Sequence, residues 1–80
     1  MFAEDGEWEK ADAYLEKVLD REPENAYAYL GKLLVEFKAE SPEQLKNNLD
    51  EVKNSKNFIR ALRYSESDLR QFLEMIKNGS

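Results

Sequence analysis

Apolar side chains recur at three- and four-residue steps along most of this chain, the period of helices that bury one face. From Glu7 to Arg21 the stripe is Trp8, Ala11, Leu15, Val18 and Leu19, with Tyr14 on its flank. Asp5-Gly6 predicts a turn before this helix, and Pro23 closes it. Asn25 then caps a second helix reaching about Ala39, in which Ala26, Tyr29, Leu30, Leu33, Leu34 and Phe37 make a stripe broad enough for contact on two sides. The short link between the two predicts an antiparallel hairpin.

Ser41-Pro42-Glu43-Gln44 predicts a third start: Ser41 accepts from a free backbone N–H, Pro42 fits the first turn and Gln44 reaches back to the cap. Leu45, Leu49 and Val52 align on the helix that follows, and Asn54-Ser55-Lys56-Asn57 reads as a loop. Phe58, Ile59, Ala61, Leu62 and Tyr64 mark a short fourth helix. Ser65 with Asp68 is positioned to cap a fifth, whose face is Leu69, Phe72, Leu73 and Ile76 and whose end is Asn78-Gly79. Glu66, Arg70 and Glu74 form a solvated ladder along it. No strand is expected. The fold class is all-α, with four to five helices in one domain: a helix pair over 1–40 and a C-terminal helical cap over 41–80.

Ala11, Leu15, Val18 and Pro23 follow a small–large–small–proline spacing, with Gly6 and Trp8 before them. This stretch resembles the second helix of a tetratricopeptide repeat, in which small residues let helices approach and proline restarts the chain. A 34-residue shift also places Ala11, Leu15 and Val18 on Leu45, Leu49 and Val52. The next helix departs from the repeat: Tyr29 stands at the tryptophan position, but the expected Leu-Gly pair falls on Lys32-Leu33, and Leu30-Gly31 comes two residues early. ENAYAYLGKLLVEF followed by NFIRALRYSESDL is similar to a module of uncharacterised bacterial tetratricopeptide-like proteins. With only Met1-Phe2-Ala3 ahead of the turn, the pattern opens in mid-repeat. The expectation is a piece of a longer helical-repeat protein, or a hairpin capped by other helices, with the surface near Phe2, Trp8 and Tyr14 meant to be covered.

Composition removes most chemistry. The 80 residues include no cysteine and no histidine, so thiol catalysis, disulfides, the usual transition-metal ligands and the commonest general base are excluded. Asp5-Gly6 lacks the alternating oxygen ligands of a calcium loop. No enzyme activity, metal or cofactor is expected. No apolar run is long enough to span a bilayer and the start is unlike a signal peptide, so the expectation is a cytoplasmic protein with no membrane partner. Residues 1–40 carry 11 acidic and 5 basic side chains, a balance of −6, against +1 for residues 41–80 with 6 and 7. That acidic half would repel phosphate backbones, so nucleic acid is not expected as a partner.

The resemblance implies a protein or peptide partner met by a helical groove, whose positions here would be roughly Tyr27, Leu30, Gly31, Leu34, Phe37 and Lys38. Most are apolar and have packing as their ordinary role, so a clamp for a C-terminal carboxylate is not expected. Tyr27 and Lys38 are the ones to remain exposed. Lys46, Lys53, Lys56, Arg60 and Arg63 concentrate positive charge suited to an acidic peptide or phosphate, with a solvated face as the ordinary alternative. Candidate binding residues are therefore Tyr27 and Lys38, together with Arg63, which the resemblance places within its recurrent segment over 58–64. The functional expectation is a non-catalytic protein–protein interaction module; the contrasting one is a structural cap or self-association unit, a homo-oligomer through the first helix.

Overall fold

A computed structural model describes residues 5–79, and within them the fold is all-α with no strand. Five α-helices run in order: α1 Asp5–Arg21, α2 Ala26–Glu36, α3 Leu49–Lys53, α4 Lys56–Tyr64 and α5 Ser67–Lys77, with a 3-10 helix over Pro42–Asn48 ahead of α3. The Cα radius of gyration, 11.9 Å, is close to the ~12 Å of a compact chain of this length. Helix α1 is therefore packed against the body rather than extended from it.

The α1–α2 link forms as its residues predict. The Asn25 side chain accepts from the Ala28 N–H at 3.1 Å and donates to Glu22 at 3.1 Å, while the Tyr29 hydroxyl donates to the Pro23 carbonyl at 3.0 Å. Leu15 lies against Gly31, and Lys32 pairs with Asp12 and Glu16, so the two helices run antiparallel. Helix α2 then packs its other side on α4, where the Tyr29 and Tyr64 rings stack at 5.9 Å. Fully buried Leu33, Leu45, Val52, Ala61, Leu73 and Ile76, with Phe58, make the core beneath this layer.

Several boundaries differ from the periodicity. Asp5 and Gly6 lie inside α1 rather than in a turn before it. A glycine costs little there, because the first backbone N–H groups of a helix lack partners in any case. Helix α2 stops at Glu36, short of Ala39. Lys38 turns left-handed (φ 50°), its N–H bonds to Val35 O at 3.1 Å, and the Ala39 N–H reaches Leu34 O at 2.8 Å. This is a Schellman termination with lysine in the position that favours glycine.

The third helix is split. Leu45, Leu49 and Val52 do face the core, but the backbone is 3-10 to Asn48 and α-helical only from Leu49. Ser41 makes no side-chain cap bond; Gln44 instead accepts from the Glu40 N–H at 2.9 Å. The expected loop at 54–57 holds the start of α4. Ser55 caps it by accepting from the Asn57 N–H at 3.1 Å and also donates to Glu36 at 2.6 Å. That bond pins the start of α4 to the end of α2, and it places a carboxylate at a helix N-terminus, where the dipole favours it.

Ser65 does not cap α5 either. Its hydroxyl donates back to Leu62 O at 2.8 Å, and Glu66 stands at the cap without a side-chain bond. Of the expected ladder, Arg70 pairs with Glu74 at 3.4 Å, and Glu66 is taken up at the cap. Gly79 (φ 77°) ends α5 as predicted, its N–H bonded to Ile76 O at 3.1 Å.

Leu33→Ala is expected to cost about 2–5 kcal/mol, a large share of the roughly 4–12 kcal/mol available to a chain of this size. Tyr14→Ala, on the exposed flank of α1, should stay within about 0.5 kcal/mol of the parent. Urea unfolding followed by helical circular dichroism measures both.

Candidate functional site

The α1–α2 contact is unusually close at one point. A Cβ on Gly31 would come within 2.9 and 3.0 Å of the two Leu15 methyl carbons, so the absence of a side chain lets Leu15 settle against the α2 backbone. On one side of this contact the helices diverge into a groove of about 540 Å³. Trp8, Ala11, Tyr14 and Leu15 line it from α1, and Gly31, Leu34, Val35 and Ala39 from α2 and the residues just after it. The lining is almost wholly apolar, with Lys10 and Glu40 as its charged members. Such a surface is shaped to receive apolar side chains.

The expectation for Trp8 needs correcting. Its indole is 6% exposed, seated between α1 and α2, whereas Tyr14 at 67% stands in solvent on the groove's lip. Trp8 therefore forms the wall of the apolar surface and does not project from it. Phe2, the third member of that expectation, lies outside the described residues. Val35, half-buried, and Ala39, buried, were not anticipated in the groove lining. Their signal is the four-residue step Gly31, Val35, Ala39, a second stripe beside the core stripe of Leu33 and Phe37.

Lys32 holds the opposite flank of the same contact. Its ammonium bonds to Asp12 at 2.9 Å and to Glu16, one turn further along α1, with only 14% of the side chain exposed. Burial pushes the Lys32 pKa down. The hydrogen bonds to Glu16 and Asp12 and the charges of both outweigh it, leaving the group above its ordinary value.

The three candidate binding residues do not form one site. Tyr27 is exposed and lines a cleft with Leu30, Ser41, Pro42 and Phe72 at the start of α2. Lys38 is exposed beside Trp8, Glu9, Asp12 and Val35. Arg63 lies on α4 in a cleft with Lys53, Arg70 and Lys77. Of the expected groove positions, Leu30, Leu34 and Phe37 pack against the core, as their apolar character requires. The basic group is also redistributed. Lys46 sits over the Phe72 ring at 5.9 Å, and the cleft that holds Lys53 and Arg63 is not lined by Lys56 or Arg60.

No group of three or more carboxylates among the described residues is arranged to hold a metal ion, and no helix there is long and apolar enough to cross a membrane. Comparison with known proteins found no matching family model, no matching curated protein and no matching solved structure. The tetratricopeptide resemblance accordingly rests on the residues that carry it.

Lys32→Met should destabilise the chain by about 1–2 kcal/mol at pH 7, between the values for exposed and buried pairs. Because the folded-state pKa is raised, the lysine's contribution is complete below its unfolded value near pH ~10.4 and is lost as the pH rises through the folded value. Urea unfolding of parent and variant at pH 7 and through the alkaline range should show the gap closing.

Proposed function

We propose that the chain is a non-catalytic protein–protein interaction module built on a tetratricopeptide-like hairpin. The observation that carries this reading is the apolar groove between α1 and α2, open to solvent and walled by Trp8, Leu15, Leu34 and Val35. A groove between two antiparallel helices accepts the ridge of a third, so the partner surface is an amphipathic helix with apolar residues three and four positions apart. In repeat arrays each helix pair is covered by its neighbours in the same way. The spacing of Ala11, Leu15 and Val18 on α1 and of Pro23 just after it supports placing this hairpin in that architecture. Its α1 is rich in carboxylates, which favours a helix with basic flanks and disfavours nucleic acid. A cytoplasmic setting goes with this reading, which needs no chemistry of its own.

The same groove supports a second reading, a structural cap or self-association unit, in which a second copy or another helix of the same protein covers it. The burial of Trp8 weakens that version, because Tyr14 is the large apolar group left projecting on α1.

The single tryptophan makes the test direct, since its indole lies in the groove wall. Titration with a leucine-rich amphipathic helical peptide flanked by lysines should change Trp8 fluorescence saturably. Val35→Glu, which sets a carboxylate in the apolar wall, should weaken that binding by about tenfold or more. Binding unaffected by Val35→Glu would dismiss the groove as the docking surface. Light scattering over a range of concentrations separates the second reading: mass that rises with concentration, and is returned to monomer by Val35→Glu, assigns the groove to self-association.

A further inference from the structure

Far from the α1–α2 groove, the ends of three helices bring positive charge to one cleft. Lys53 closes α3, Arg63 lies in the last turn of α4, and Arg70 and Lys77 follow one another two turns apart on α5. Together with Phe58, Ile59 and Leu62 they line an open cleft of about 510 Å³, and no acidic side chain is among its lining residues. Four of the chain's 12 basic residues thus meet at one place in a protein whose net charge is −5.

The ordinary explanation is that cations near helix C-termini complement the helix dipoles. It accounts for Lys53, Arg63 and Lys77 one at a time. It does not account for Arg70 in the body of α5, nor for the convergence of all four on an apolar floor. Their local partners are few. Lys53 meets Asp50 at 3.6 Å and Arg70 meets Glu74 at 3.4 Å, both exposed pairs of the weak kind. Among the described residues Arg63 and Lys77 enter no ion pair. Ile59, 48% exposed, stands between the charges as an apolar contact.

We propose that this cleft binds an acidic protein segment in which carboxylates flank an aliphatic or aromatic side chain. The carboxylates meet Arg63, Arg70, Lys77 and Lys53, and the apolar side chain seats on Ile59 and Leu62. Two guanidinium groups suit carboxylates by their planar, two-pronged donor geometry. The apolar floor favours a peptide over a phosphate polymer, whose charged backbone gains nothing from it. This surface does not rest on the α1–α2 groove; either can fail without the other.

The probe is a fluorescein-labelled peptide of alternating glutamate and leucine, compared with a counterpart in which glutamine replaces each glutamate. Fluorescence anisotropy should show saturable binding of the acidic peptide that weakens with added salt. Arg63→Glu and Lys77→Glu should each lower affinity by about tenfold, and Ile59→Ser by a few-fold. Lys17→Glu, an equal charge change on α1, should leave it nearly unchanged. Circular dichroism on each variant confirms the helical fold, which these exposed positions do not hold up. Equal binding of the glutamine peptide, or equal weakening by Lys17→Glu, overturns the proposal, since the first is apolar adhesion and the second a net-charge effect. Tighter, Arg63-dependent binding of a short RNA or of vesicles containing phosphatidylserine overturns it in favour of phosphate. Self-association of the chain alone, abolished by Arg63→Glu, overturns it in favour of a second copy.

Discussion

Leu33 sits fully buried at the middle of α2, and the helix around it has to satisfy partners on two sides. One side carries Tyr29, Leu33 and Phe37 toward α4 and the core. The other side carries Gly31, Lys32 and Val35 toward α1. A helix packed on both sides cannot follow the single-stripe pattern, which explains why α2 is so apolar; beyond its end at Glu36 the chain turns to bury Ala39, whose N–H is held by the Leu34 carbonyl. Everything else is placed by this wall. Helix α1 has α2 as its main neighbour, so its position depends on how close Leu15 and Gly31 can come. Helix α4 is set by the Tyr29–Tyr64 stack and by the Glu36 bond to Ser55 at its N-terminus.

Charge is distributed to match. Removing a lysine from water is costly unless charged partners meet it, and Lys32 is met by two carboxylates one turn apart on α1. The arrangement fixes register, because Asp12 and Glu16 reach the same ammonium only when α1 and α2 are aligned as observed. Gly31 beside it fixes separation. Neighbouring residues thus set two different coordinates of one helix contact, and the apolar groove is the space left over once both are satisfied. At the other end of the molecule, the basic residues on α3, α4 and α5 have no such buried counter-charges.

How much of this was legible in the residue pattern depended on the range of the interaction. Each helix was visible because apolar periodicity reports burial, and the Asn25 cap and the Gly79 stop were visible because their bonds are local. The same locality misleads at two serines: Ser41 holds the cap position without the expected side-chain bond, and Ser65 does not cap α5. A serine before a helix is a local signal, but here Gln44 takes up the Glu40 N–H, and the Ser65 hydroxyl turns back to Leu62. Ser55 was the cap that the pattern hid, because its second partner, Glu36, lies 19 residues away. The 3-10 backbone at 42–48 was likewise invisible: Leu45 and Val52 report that a face is buried, not the pitch that buries it. Tyr27, Lys38 and Arg63 read as one candidate set and occupy three clefts, since Tyr27 and Lys38 lie at opposite ends of α2 and Arg63 lies on α4.

The residues around Lys32 have a local physical reason. Gly31 supplies the close approach to Leu15, and Lys32 beside it is met by Asp12 and Glu16 from α1. A glycine at Leu33 would remove a fully buried core side chain, and a leucine at Lys32 would leave two carboxylates facing an apolar group. Glycine at 31 therefore leaves position 33 to the core while keeping Leu15 against the α2 backbone. The groove follows from that placement, because Gly31 and Leu15 both line it.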